Sequence, residues 1–268
     1  MILFIYKSMK TAVRIISLRS SLERRSSISA QQGIESLNWD FFDALTDTSV
    51  LLKYDKLHAI RSFGRALTRS ELGCYSSHYM VWDWFLKSRF DQVFVFEDDV
   101  IVDWEIIKRL SYFDFQGHNF NLIRLSSIYP LPFKVVHYNF AHQYYHLIQV
   151  KGRHLGAAGY VLTRLGAEIL ISKCKKVIYP LDWAIHRYWI TNLPNFVIFP
   201  FPLTLRTQPS TIGDNNSRDI FEPLILKDFF FFWSFKVVER IRRAIFDFLH
   251  FFRKTPINSK SGLSFINS

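Results

Sequence analysis

Residues 92–96 (QVFVF) form an uninterrupted apolar run that ends abruptly in Glu97-Asp98-Asp99. A run of this kind without polar alternation fits a strand covered on both faces, the pattern of a central strand in an α/β sheet. Three adjacent carboxylates repel one another, so a fold that gathers them at a strand's end needs a cation to compensate. In open α/β sheets that end faces the ligand crevice. Hard carboxylate oxygens suit Mg2+ or Mn2+, and such an ion commonly binds substrate phosphates as well. Strand alternation would put Glu97 and Asp99 on one side and Asp98 on the other. The competing explanation is a solvated acidic turn that caps the following helix.

The rest of the chain keeps to the same pattern. Residues 13–18 (VRIISL), 37–42, 121–125, 156–163 and 196–199 have strand composition, the last of these closing the series. Residues 20–32, 68–87, 104–110, 164–172 and 182–189 have helical polarity. In 68–87, Leu72, Tyr75, Tyr79, Trp82 and Leu86 recur on one helical face, and Thr68 with Glu71 matches a capping box. Strands alternating with helices argue for a sheet with both faces covered. Cys74 and Cys174 cannot make a disulfide framework and read as small buried hydrophobes in a reducing compartment. The opening apolar run before Lys7 is too short for an export signal. The uncharged stretch 188–205 is interrupted by Pro194, Pro200 and Pro202, so no spanning helix is expected.

The net charge of +11 and the 27 Phe among 268 residues matter because both features crowd the C-terminus. After an aromatic block at Phe229–Phe232, Trp233 and Phe235, the residues Val237, Val238, Ile241, Ile245, Phe248, Leu249 and Phe252 share one helical face. Lys236, Arg240, Arg242, Arg243, Arg253 and Lys254 crowd the other side. Such a helix suits an anionic membrane surface. The alternative is a terminal helix docked on the core with a solvated basic face. Nucleic acid is not an expected partner, because the basic residues fall in no recognisable nucleic-acid module. The expected division is a catalytic domain at 1–223 and a basic, Phe-rich tail at 224–268.

The chain carries the blocks VRIISLRSSLERR at 13–25, WDFFDA at 39–44, LTRSELGCYSSH at 67–78 and FVFEDDV at 94–100, followed by GAAGYVLTRLGAEIL at 156–170, PLD at 180–182 and QPSTI at 208–212. Together they resemble glycosyltransferase family 25, the bacterial lipooligosaccharide and lipopolysaccharide glycosyltransferases, many of them β-galactosyltransferases. The resemblance implies an α/β, GT-A-like (Rossmann-type) nucleotide-sugar-binding domain with a mixed, mostly parallel sheet, followed by the C-terminal amphipathic helix. It also implies a UDP-sugar donor, UDP-galactose first, and inverting transfer to a lipid-linked oligosaccharide. Mn2+ or Mg2+ would assist, held by Asp99, with Glu97 and Asp98 as donor contacts.

Inversion needs a base for the acceptor hydroxyl, and Asp182 is the first candidate. Its position after Pro180 fits a helix cap equally well. Arg19, Arg24 and Arg25 follow the first strand, where the nucleotide lies in folds of this type, and one of them is a candidate for phosphate pairing, Arg24 and Arg25 reading equally as solvated helix residues. Asp43 is a candidate for the uracil or ribose, or else a turn-forming residue. His78 is a candidate for the acceptor side or a satisfied core histidine. Gly156 and Gly159 either let substrate approach the backbone or permit tight packing. His137, His142 and His146 lack the spacing of a zinc site. The resulting expectation is a cytoplasmic enzyme held on the inner face of the bacterial inner membrane. The rival is a membrane-bound, inactive relative whose acidic triplet is vestigial.

Overall fold

The computed structural model describes residues 9–128, 132–152, 156–206 and 226–250. Its strands are β1 (Thr11–Ser17), β2 (Trp39–Asp43), β3 (Lys53–Tyr54), β4 (Gln92–Glu97), β5 (Val100–Val102), β6 (Leu122–Arg124), β7 (Phe133–His137), β8 (His146–Val150), β9 (Gly159–Thr163), β10 (Lys176–Val177), β11 (Phe196–Phe199) and β12 (Leu203–Leu205). The helices are α1 (Leu22–Ser29), α2 (Lys56–Phe63), α3 (Arg69–Lys87), α4 (Trp104–Ser111), α5 (Arg164–Cys174), α6 (Leu181–Ile185), α7 (Tyr188–Thr191) and α8 (Leu226–His250).

Eight strands form one mixed sheet in the order β2-β1-β4-β9-β6-β11-β8-β7. β1 runs parallel to β2 and β4, and β6 runs parallel to β11. β9 is inserted antiparallel between β4 and β6. The continuous apolar run of β4 is buried on both faces, as its lack of alternation requires. Phe94 and Phe96 join Val13 and Ile15 in a core with Trp104, Ile107 and Leu110 of α4. Val93 and Val95 join Ala12 and Ile16 in a second core, against Tyr75, Tyr79, Trp82 and Phe85 of α3 and Leu170 of α5. Each such large side chain contributes roughly 1.5–3 kcal/mol relative to exposure.

The start of α3 bears out the capping box. Thr68 Oγ1 accepts from the Glu71 amide at 3.1 Å, and the Glu71 carboxylate accepts from the Thr68 amide at 2.9 Å. Gly73, one turn further on, faces the carbonyl of Leu45 so closely that a Cβ there would sit 2.5 Å from it. That contact draws the first turns of α3 onto the segment after β2, and so toward the carboxyl ends of β1 and β4.

Two expected elements differ in detail. The helix expected over 182–189 is two short helices, α6 and α7, separated by His186 and Arg187. The strand at 196–199 is not the last, because β12 follows it and pairs with β5.

The tail helix α8 is docked, by Phe231 and Phe235 on His58 of α2 and by acidic side chains further along. Glu239 takes a bidentate pair from Arg187 at 2.8 and 2.9 Å and a hydrogen bond from the Trp189 indole at 3.0 Å. Asp247 accepts from the Tyr188 hydroxyl at 2.8 Å, and Phe246 packs on the Tyr188 ring. Val237, Val238, Ile241, Ile245, Phe248 and Leu249 are exposed on the opposite face, Phe248 at 72%. The two expected arrangements, a membrane-facing stripe and a docked helix, are therefore compatible. The docked face carries the acids together with Phe235 and Phe246, and the stripe from Val237 to Leu249 points away from the core. Among the described residues no helix is long and apolar enough to cross a membrane. Phe252 and the 208–212 block lie outside the described residues.

Candidate functional site

Because β1 and β4 are parallel neighbours, with Ile16 opposite Glu97, their carboxyl ends open side by side. A cleft of about 500 Å³ lies there, between the start of α1, the segment after β2 and the first turns of α3. Glu97, Asp98 and Asp99 all line it. The sidedness expected from strand alternation does not extend past Glu97, because β4 ends at that residue and a turn carries the next two.

The three acids differ in partners. Asp98 is engaged on both oxygens, by the Ser17 hydroxyl at 2.6 Å and by Arg24 at 3.1 Å. Glu97 faces α3, where its Oε1 lies 3.4 Å from His78 Nε2 and 4.0 Å from Cys74 Sγ. Asp99 has a buried Oδ1 with no hydrogen-bond partner. Burial, reinforced by the charge of Glu97, pushes its carboxyl up to about 6. A buried, unpartnered carboxylate oxygen beside a second carboxylate is a site that a hard divalent cation would relieve. Asp99 therefore fits such an ion.

Of the three candidate arginines, Arg24 lines the cleft. Arg19 and Arg25 instead pair with Asp43, at 2.7 and 2.6 Å. Those two guanidiniums, Arg25 first, hold the Asp43 carboxyl below the usual carboxylate range. Arg19, Arg25 and Asp43 are not among the residues that line the cleft.

Asp182 does not cap α6. Pro180 occupies the cap position, and Asp182 Oδ1 accepts from the adjacent Trp183 amide at 2.8 Å. Burial raises its carboxyl, with the Trp183 amide and Arg124 acting in the opposite direction and Glu71 and Glu97 adding to the rise. It thus lies within electrostatic reach of the acidic end of β4, though it is not a lining residue of the cleft. His78 is fully buried, with Nδ1 2.9 Å from the Tyr160 hydroxyl. Gly159 is explained by packing, since a Cβ there would collide with Leu203 and press on Phe96. Gly156 has φ +106°, a conformation that side chains rarely adopt, and its carbonyl accepts from Arg124.

Sequence reasoning missed Arg124. It is fully buried at the end of β6, and its Nε and Nη2 make no hydrogen bond. Burial lowers its guanidinium to about 10, while Asp182 supports the charged form. The signal was present: an arginine inside the apolar run NLIRL is costly unless something anionic or polar meets it.

The family description "Glycosyltransferase family 25 (LPS biosynthesis protein)" matches residues 10–185. The chain is similar to the lacto-N-neotetraose biosynthesis glycosyltransferase LgtE of Neisseria meningitidis serogroup B, at 28% identity over 63% of this chain and 62% of that protein. It is similar to the lipooligosaccharide biosynthesis protein lic2B of Haemophilus influenzae, at 28% identity over 56% of this chain and 58% of that one. A rat protein named "Probable inactive glycosyltransferase 25 family member 3" is 32% identical over 37% of this chain and 18% of its own length. The chain spans about three fifths of the length of the bacterial relatives just described. With its β1, α3 and acidic β4 terminus all inside the matched span, the chain belongs to glycosyltransferase family 25.

Proposed function

We propose that this chain moves a hexose, galactose first, from a UDP-sugar to a lipooligosaccharide acceptor, with inversion and on a GT-A-like fold. The observation that carries the reading is the gathering of Glu97, Asp98 and Asp99 with Arg24 in one cleft at the carboxyl ends of β1 and β4. A nucleoside diphosphate needs cationic and metal-bridged contacts there, and hydrogen-bonding groups for its ribose and sugar. Arg24 supplies a guanidinium already oriented by Asp98, and Glu97 and Asp98 border the donor.

Mn2+ or Mg2+ would be held by Asp99 and would supply Lewis-acid stabilisation of the leaving diphosphate. Asp182 is the proposed base. A carboxyl raised by burial is a better proton acceptor than an exposed one once ionised, and the Trp183 amide fixes its orientation. The acceptor is lipid-linked in this reading, and the outward apolar stripe of α8 is the surface that meets anionic lipid on the cytoplasmic face of the membrane.

A panel of UDP-sugars offered with truncated lipooligosaccharides tests the reading, with product mass and linkage analysis. Galactose transfer with inversion is expected. A protein that neither transfers nor hydrolyses any UDP-sugar would instead be the inactive relative.

A further inference from the structure

We propose that Cys74, His78 and Glu97 form a binding site for a borderline-soft divalent cation, Zn2+ first, in the wall of the cleft. The three ligand atoms, Cys74 Sγ, His78 Nε2 and Glu97 Oε1, all lie within 4.8 Å of one another. Cys74 and His78 are one helical turn apart on α3 and so share a face. Glu97 is brought to that face by the end of β4.

The spacing can be compared with a tetrahedral zinc centre. Bond lengths of about 2.3 Å to sulfur and about 2.0–2.2 Å to nitrogen and oxygen give N···O edges of about 3.4 Å and S···O edges of about 3.6 Å. The observed His78–Glu97 separation is 3.4 Å, and the Cys74–Glu97 separation is 4.0 Å. The first edge matches, and the second exceeds the ideal by a few tenths of an ångström.

The second observation is the state of His78. The side chain is fully buried and its Nε2 makes no hydrogen bond. Its Nδ1 meets the Tyr160 hydroxyl at 2.9 Å, and that oxygen also accepts the Trp82 indole N–H at 2.8 Å. The Tyr160 oxygen has a second lone pair that can take Nδ1–H, and in that tautomer the Nε2 lone pair faces Glu97 and is free to ligate. Ligating histidines are commonly fixed in this way through their other nitrogen. A cation between Nε2 and Glu97 would select that tautomer.

Thiol, imidazole and a single carboxylate select differently from Asp99, which offers only oxygen. All three residues line the cleft, so a fourth ligand can be water or a substrate hydroxyl. The site does not depend on the galactosyl reading, because cation binding is measured without donor or acceptor.

Full-length protein stripped with chelator is titrated with Co2+ and then Zn2+. One equivalent of Co2+ is expected to produce a thiolate-to-cobalt charge-transfer band, which Zn2+ abolishes and excess Mg2+ does not. Cys74→Ser should remove the band, and His78→Gln should weaken Co2+ binding at least tenfold. Glu97→Gln, on the more solvated wall, repeats the test if the His78 variant fails to fold. Cys174→Ala and Asp99→Asn should keep the band. Absence of a thiolate band in the unaltered protein, or its survival in Cys74→Ser, would overturn the proposal.

Discussion

Replacing Asp99 with Asn isolates the electrostatic strain of the acidic cleft. The folded protein raises this carboxyl from its ordinary value of 3.8 to about 6, mainly by burial and secondarily by Glu97. A raised folded-state value favours the protonated form, so the native state holds its proton more tightly than the unfolded chain. The resulting stability is present in full below the unfolded value of 3.8 and is lost as pH rises through about 6. Two units correspond to a ceiling of about 3 kcal/mol, at roughly 1.4 kcal/mol per unit. The carboxyl is partly solvated, and screening reduces this to about 1–2 kcal/mol. Asn does not ionise. In chelator near neutral pH, Asp99→Asn should therefore be the more stable protein by about 1–2 kcal/mol, and the difference should vanish toward pH 4 or so. Urea unfolding across that range measures it. Mn2+ should stabilise the unaltered protein and leave the variant unchanged, by mass action on the native state. A variant that is less stable near neutrality, or a gap that does not change with pH, would refute the reasoning.

Other outcomes follow from the same structure. If Asp182 is the base, as proposed, Asp182→Asn should remove most turnover while UDP affinity stays within about twofold, measured by calorimetry and initial rates, because a base would act on the acceptor hydroxyl. Glu239→Ala should cost about 3–5 kcal/mol in unfolding free energy, since it strands the mostly buried Arg187, whereas the Arg187→Met/Glu239→Met double variant should recover much of it. Ile241→Glu with Phe248→Glu should leave stability within about 0.5 kcal/mol, because both side chains are exposed. The same pair should weaken sedimentation with anionic vesicles at least tenfold, and added salt should weaken the unaltered protein only in part. Gly159→Ala should cost about 1–3 kcal/mol through its collision with Leu203 and Phe96, measured by thermal unfolding.

The elements that sequence resolved are those whose local signal and tertiary setting agree. Val93 to Phe96 is apolar on every residue because β4 has a core on each side. The Thr68/Glu71 pair marked the start of α3 because capping is settled within one turn. Other features depended on partners distant in sequence. Nothing local states that β9 runs against β4, or that the helix at 182–189 is interrupted at His186 and Arg187, the latter pairing with Glu239 of α8. The β7–β8 hairpin, within FKVVHYNFAHQYYHLIQV, mixes aromatic and histidine positions with no clean period. At the site, the acidic triplet was legible as charge, whereas its division of labour was not. Asp98 is taken up by Ser17 and Arg24, Glu97 turns to α3, and Asp99 is left with an unpartnered oxygen. Cys74 and His78 read separately as a buried hydrophobe and a lone histidine. Only the end of β4 joins them.

The reversed direction of β9 separates two kinds of variation within one sheet. A strand parallel to β4 would deliver its following loop to the cleft, but β9 delivers the segment before it, and the Ala158 carbonyl binds the Glu97 amide at 3.0 Å. Gly156–Ala158 is therefore anchored beside the acids where β9 begins. Changes of sequence there would reshape the wall next to Glu97, while the β1–β4 register that carries the acidic triplet stays fixed. A descendant of this chain can thus vary one side of the cleft without disturbing the strand pair on which the other side is built.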